Sequence, residues 1–315
     1  MRLPDFLIIG EMKCGTTTLW DLLVQHPHVF ETEAKELHYF GSYSYFGACG
    51  ANWPATHEGY ARHFEMAALD QRIGEATPNY LSDPLAPVRI AETLPDVRLL
   101  VILRDPVERA WSHYWHQVRR GWETLGFEAA IDAEAERLCE SYDNHEKFSY
   151  ITRGRYVEHL RRYEALFGRE QMCVVLLDEL KRSPQVVAER AWGHLGLDRP
   201  YPEVAKAKHH NRASYPKWPA LDRLTRQSMR LAEAMGGPLV AGARWVGRQT
   251  RGWRTYSGTP RMDPAVRDRL NQMFAPHNAE LAEWLGQPVG WGEADAPSSA
   301  PHETTIGRAD ASANA

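Results

Sequence analysis

The segment FLIIGEMKCGTTTL, Phe6 to Leu19, constrains the fold of this chain more than any other. Its apolar run, Phe6 to Ile9, predicts a buried strand. Gly10 and Gly15 bracket a tight turn carrying Lys13. Thr16, Thr17 and Thr18 lead into a helical pattern with Leu19, Leu22 and Leu23 on one face. Strand, glycine-bearing turn and helix N-terminus aim backbone N–H groups, the helix dipole and one lysine at a single point, which makes an anion site. A nucleoside-triphosphate loop reads G-x-x-x-x-G-K-[ST], with Lys directly after the second Gly. Here the two glycines keep that spacing, but Thr16 stands at the lysine position and Lys13 precedes Gly15. The expected ligand therefore carries phosphate but is neither ATP nor GTP. Cys14 reads as a spacer in this turn rather than a nucleophile.

A second strand is expected at Arg98 to Leu103, followed by a helix capped by Asp105, with Pro106 at its first position and Glu108 closing a capping box. A third is expected at Met172 to Leu177, with a helix from Ser183-Pro184 to about Leu195. Tyr156, Leu160, Tyr163 and Phe167 fall at helical spacing, and a short strand is expected at Arg72 to Glu75. Strands alternating with helices predict an α/β fold, a P-loop-like three-layer sandwich with a central parallel sheet flanked by helices. Residues 41–65 read as irregular and 117–150 as helical and charged. A last helix starts at Asp263-Pro264 and bends or breaks near Pro276. One domain over residues 1–290 and a disordered tail over 291–315 are expected.

The chain has 315 residues, 43% of them hydrophobic, enough for one large core. A net charge of −4 argues against general nucleic-acid binding. No apolar run reaches transmembrane length, and no leader is expected, because Met1 to Pro4 runs straight into the first strand. The four cysteines are scattered, without metal-ligand spacing. A cytoplasmic protein is expected, and the Arg- and Ala-rich usage suggests a bacterial source.

Ligands of an open parallel sheet bind at the carboxyl ends of its strands. Two such ends carry anion-binding residues: the turn of residues 10–18, and Arg104, with Ser112 two helical turns beyond it. Arg104 offers a bidentate contact to phosphate and Ser112 a hydroxyl. Two sites on neighbouring strand ends suit a nucleotide with phosphates at two positions.

Here the chain resembles the sulfotransferases that use 3′-phosphoadenosine 5′-phosphosulfate (PAPS), which leaves as adenosine 3′,5′-bisphosphate (PAP). Their K-x-G-T-[TS]-x-L loop for the 5′-phosphosulfate reads Lys13-Cys14-Gly15-Thr16-Thr17-Thr18-Leu19. Their R-D-P-x-x-R-x-x-S motif for the 3′-phosphate reads Arg104-Asp105-Pro106-Val107-Glu108-Arg109-Ala110-Trp111-Ser112. An E-x-H-[FY]-F segment, Glu36-Leu37-His38-Tyr39-Phe40, and the stretch Pro260 to Pro264 resemble the branch that includes heparan-sulfate sulfotransferases and bacterial relatives.

The resemblance implies Glu36 as general base, Lys13 as stabiliser of the leaving phosphosulfate and His38 as auxiliary donor or orienter. It implies no metal, and an acceptor hydroxyl, less readily an amine, on a small molecule or glycan. Relatives keep a lysine in a Glu-Lys-Thr-Pro segment near the transferring sulfate, but here that segment reads Glu75-Ala76-Thr77-Pro78. Either Lys13 acts alone or an arginine from Arg244, Arg248, Arg251 and Arg254 enters, Arg251 and Arg254 being placed with the nucleotide. Rival readings are a nucleotide-dependent phosphotransferase and an inactive nucleotide-binding relative. Plainer readings stand for other features: His209-His210 as a surface pair, the 244–254 arginines as a solvated face, and Tyr156, Tyr163 and Trp192 as core.

Overall fold

The sheet is built from the most apolar segments of the chain. In a computed structural model, which describes residues 2–42, 57–205, 214–216, 255–257 and 260–292, four strands lie parallel: β1 (Phe6–Gly10), β2 (Gly74–Ala76), β3 (Arg98–Leu103) and β4 (Met172–Leu176). Their order is β2-β1-β3-β4. The chain steps outward from β1 to β2, then returns past β1 to β3. The order therefore reverses between β1 and β3, and that crevice is where an open α/β sheet binds its ligand.

Helices cover both faces. On one, α1 (Thr16–Leu23) packs against α10 (Pro184–His194), which also meets α9 (Leu177–Arg182). On the other, α8 (Tyr156–Phe167) packs against α3 (Ala86–Thr93) and the C-terminal helix α11 (Pro264–Leu285). The inner strand residues Phe6 to Ile9 and Leu99 to Leu103 are fully buried between these layers. Such near-continuous apolar strands are what a sheet covered on both faces requires. A second apolar cluster joins α4 (Pro106–Arg120) to α5 (Phe127–Asp132) and α11 through Trp111, Phe127, Tyr150 and Phe274. The helices α2 (His57–Ala61), α6 (Glu134–Glu140) and α7 (Tyr142–Phe148) are short, and β5 (Ser214–Pro216) pairs antiparallel with β6 (Thr255–Ser257).

The three-layer parallel architecture is as expected from the sequence, and β3 and α8 keep the expected bounds. Several details differ. β2 begins two residues later than expected, at Gly74, and α3 occupies a stretch for which the pattern named no element. The 117–150 region divides among the end of α4 and α5, α6 and α7. Helix α11 runs unbroken through Pro276. Leu270 and Phe274 before the proline and Leu281 after it are all buried, so packing holds both halves in one helix despite the lost hydrogen bond. Asp105 caps α4 by accepting from the N–H groups of Val107 and Glu108 at 2.8 and 3.3 Å. Glu108 closes no capping box. Its carboxylate pairs with Arg104 and Arg267 instead. Ser183 occupies the position before α10 but gives no side-chain cap. The expected tail from 293 onward lies outside the described residues.

Candidate active site

The turn after β1 forms as its glycines require. A Cβ on Gly10 would stand 2.5 Å from Leu81 Cβ, so only glycine lets the strand end pass this close. Gly15 enters α1 with φ of 100°, the left-handed region that glycine adopts without penalty. The N–H of Glu11 continues the ladder to Ile102 O at 2.9 Å, and Cys14 N closes the turn on Glu11 O at 3.0 Å. Lys13, Thr16, Thr17 and Thr18 are thereby gathered at the start of α1.

Lys13 carries the clearest electrostatic signature. Burial, then Arg119, Arg104 and Arg120, lower its pKa to about 8. Among the described residues no carboxylate pairs with its ammonium. A lysine held among arginines without a counter-anion is a place for a ligand's negative charge. Cys14 is fully buried, with Sγ 3.6 Å from the Tyr156 hydroxyl. Burial and then Glu11 push its thiol up to about 12, which fits a spacer and not a nucleophile.

Arg104 follows β3 on the strand adjoining β1. Its Nη1 lies 3.5 Å from Lys13 O, at the edge of hydrogen bonding, and its Nη2 is 3.0 Å from Glu108. Glu108, which pairs with Arg104, recurs with Ser112 and His116 at four-residue spacing, so the three share one accessible stripe of α4 that leads on to Arg119 and Arg120. His116 Nδ1 accepts from Arg119 Nη2 at 3.3 Å, and burial followed by Lys13 holds the His116 pKa down to about 3. Tyr156, at the start of α8, does more than fill the core: its hydroxyl donates to Arg104 O at 2.8 Å while also meeting Cys14, so one ring braces the turns that carry Lys13 and Arg104.

The Glu36 segment is fixed to β2. Ala76 N donates to Lys35 O at 2.9 Å, Leu37 N to the Glu75 carboxylate at 3.1 Å, and His38 N to Thr77 Oγ1 at 3.1 Å. Glu75 is fully buried and also accepts from the hydroxyls of Tyr60, Thr77 and Tyr80. Burial raises its pKa against these bonds. Glu36 itself remains partly open, with its side chain 34% exposed. One of its oxygens is 2.9 Å from Lys35 Nζ and the other 3.6 Å from His38 Nε2. Burial lowers the His38 pKa, Glu36 raising it in part, so the ring is neutral near pH 7. Lys35 Nζ also donates to Thr17 Oγ1 at 3.1 Å. The Glu36 carboxylate is thus one lysine away from the anion cradle.

Lys35, Glu75, Tyr156 and the Glu11–Arg153 pair were not among the expected site residues. Of these, Lys35 gave a local signal as a lysine beside Glu36, and Glu75 opens the segment compared with Glu-Lys-Thr-Pro. Arg244, Arg248, Arg251, Arg254 and His209-His210 lie outside the described residues. Of the aromatics that the sequence offers for an acceptor pocket in 41–65 and 117–150, Tyr43, Tyr45, Phe46 and Trp53 also lie outside them, and Trp115 and Trp122 lie within. Trp115 is buried, whereas Trp122 is 36% exposed, with the Arg120 guanidinium 4.8 Å and the Lys147 ammonium 5.4 Å from its ring centre. Among the described residues no three His, Cys, Asp or Glu side chains form a metal-ligand group, and no helix is long and apolar enough to cross a membrane.

A comparison with known families matches residues 3–220 to the sulfotransferase domain. The chain belongs to the PAPS-dependent sulfotransferase family. It is 37% identical over 157 residues to the membrane-associated sulfotransferase kil1 of Dictyostelium discoideum, covering 46% of this chain and 31% of that protein. It is 30% identical over 291 residues to the human heparan sulfate glucosamine 3-O-sulfotransferase 3B1, covering 92% of this chain and 65% of the relative. The chain therefore spans less than two thirds of the length of these curated relatives. Among solved structures, a sulfotransferase from Alicyclobacillus acidocaldarius superposes with a TM-score of 0.68 at 27% identity, over 92% of this sulfotransferase and 98% of that chain.

Proposed function

We propose that this sulfotransferase moves the sulfuryl group of PAPS to a hydroxyl, less readily an amine, of a small-molecule or glycan acceptor, releasing PAP. The observation that carries the reading is Lys35, whose ammonium reaches both the Glu36 carboxylate and Thr17 of the β1–α1 turn. It puts a partly open carboxylate within one side chain of an anion cradle, the spacing needed by a base acting on an acceptor next to a bound phosphosulfate.

PAPS brings about four negative charges. The start of α1 and Lys13 suit its 5′ group, and Arg104 with Ser112 its 3′-phosphate. Glu36 takes the acceptor proton as the acceptor oxygen bonds to sulfur. The bond from sulfur to the bridging oxygen breaks, and the electron pair stays on that oxygen, now part of PAP. Lys13 and the α1 N-terminus stabilise the charge that develops there. Neutral His38, 3.6 Å from Glu36, orients the carboxylate. Arg251 and Arg254 are proposed as further contacts to the nucleotide.

The test is a thermal-shift comparison of PAP with ATP–Mg²⁺, paired with radiolabelled PAPS turnover on extract acceptors. Stabilisation by PAP, and Glu36→Gln abolishing turnover while PAP affinity holds, are expected. Stabilisation by ATP–Mg²⁺ alone would replace this reading with a phosphotransferase. Turnover unchanged in Glu36→Gln would remove Glu36 as the base.

A further inference from the structure

The donor cradle and the base are joined by a side chain that neither motif includes. Lys35 is 19% exposed at its side chain, and its Nζ stands 3.1 Å from Thr17 Oγ1 and 2.9 Å from Glu36 Oε1. Its backbone carbonyl is bonded to Ala76 N at the end of β2, so the residue is anchored to the sheet at 2.9 Å rather than borne on a free loop. An ammonium has three donors. Two point at Thr17 and Glu36, and the third has no partner among the described residues. Thr17 lies in the first turn of α1, where the helix dipole and free N–H groups favour an anion.

We propose that Lys35 is a catalytic residue of this site, donating to the sulfuryl group as it passes from PAPS to the acceptor. The inference rests on the reading that PAPS is the donor. On that reading the sulfur lies between the acceptor oxygen, held by Glu36, and the bridging oxygen, held by the β1–α1 turn. The Lys35 ammonium occupies the corresponding position between Glu36 and Thr17. When the acceptor oxygen bonds to sulfur, its proton goes to Glu36. The bond to the bridging oxygen breaks with its electron pair left on PAP, and Lys35 donates its third hydrogen bond to a sulfuryl oxygen throughout. Lys35 also supplies, from the segment hydrogen-bonded to Ala76, a positive charge that Ala76 does not.

A lysine that merely tethered the Glu36 segment would treat PAP and PAPS alike, because only PAPS carries the sulfuryl group. The test is therefore the ratio of PAPS to PAP affinity, measured by calorimetry in the wild type, Lys35→Met and Lys35→Arg. In Lys35→Met, PAP affinity should hold within about threefold while PAPS affinity falls about tenfold, the scale of one charge-assisted hydrogen bond. Turnover of radiolabelled PAPS with extract acceptors should fall at least about 100-fold. Lys35→Arg, which keeps the charge, should recover part of the PAPS affinity. An unchanged ratio in Lys35→Met overturns the proposal, and Lys35→Gln decides by the same ratio if the Met variant does not fold. A wild type that binds neither nucleotide overturns the PAPS reading itself. A wild type that transfers sulfate beside a Lys35 variant of unchanged ratio removes Lys35 alone.

Discussion

Glu11 and Arg153 form an ion pair at 2.8 Å with both side chains sealed from solvent. The same guanidinium nitrogen reaches Asn79 Oδ1 at 3.2 Å, and the same carboxylate oxygen accepts from Met12 N at 2.7 Å. The pair thus ties the Lys13 turn to the loop after β2 and to the turn before α8. The second Glu11 oxygen is buried and has no partner among the described residues, so this carboxylate depends on Arg153. Removing one member of a buried pair costs about 3–5 kcal/mol, because the other charge is left uncompensated. Arg153→Met should lower unfolding stability by that amount in urea titrations. Glu11→Met/Arg153→Met should cost clearly less than the two single changes summed. Additive costs would show that the pair is not coupled.

Glu75 holds the backbone beside Glu36, the proposed base. Its carboxylate accepts from Leu37 N, next to Glu36, and from three buried hydroxyls. An amide in its place turns an acceptor edge into a donor edge. Leu37 N and Thr77 meet one carboxylate oxygen, Tyr60 and Tyr80 the other. An amide keeps the Leu37 bond only by setting its NH2 against the two buried tyrosine hydroxyls, whose own O–H groups then lose their acceptor, and the opposite flip leaves the Leu37 N–H unmatched. Glu75→Gln is expected to lower stability by about 1–3 kcal/mol, the penalty for an unmatched buried donor. Turnover should fall through misplacement of Glu36, while PAP affinity stays near the wild-type value. Loss of PAP affinity as large as the loss of turnover would contradict a positioning role.

The parts of the site legible in the sequence are those whose geometry is local. The Gly10 to Thr18 spacing defines the turn, because each glycine answers a constraint within a few residues. Arg104 follows from the end of an apolar strand and an Asp-Pro helix start. What escaped detection is held by contacts between distant segments. Arg153 meets Glu11 across 142 positions, and Tyr156 braces Arg104 across 52. Neither pairing leaves a periodic trace, and Tyr156 reads as ordinary core. Lys35 beside Glu36 looks like a solvated charge pair until β2 fixes its backbone and turns it toward Thr17. Pro276 misled in the opposite direction: its local rule predicts a break that the buried face of α11 overrides.

Arg104 lies between two negative demands. Glu108 now holds its Nη2 at 3.0 Å, and Arg267 holds the other Glu108 oxygen. A 3′-phosphate would compete with or join this cluster. Arg104→Ala should weaken PAP binding by about 2–5 kcal/mol, the cost of truncating one partner of a hydrogen-bonded charge pair. Calorimetry reads this directly. The loss should be far smaller for a 5′-phosphate nucleotide lacking the 3′ group, and equal losses for the two would place the 3′-phosphate elsewhere.

The depressed Lys13 pKa makes nucleotide binding and stability respond oppositely to alkaline pH. In the free protein burial, then the neighbouring arginines, lower its pKa to about 8 from the ordinary lysine value of 10.5. Between those values the unfolded chain holds more protons than the folded one, so the stability of the free protein should rise with pH over that window. Bound PAP would place negative charge beside Lys13 and raise its pKa again. Binding above pH 8 must therefore take up a proton, and PAP affinity should fall as pH climbs from about 8. Calorimetry in two buffers of different ionisation enthalpy should record proton uptake at alkaline pH and little at pH 6.5. Lys13→Met should bind PAP more weakly at neutral pH and lose most of that alkaline dependence. A dependence that persists unchanged in Lys13→Met would assign the titration to another group.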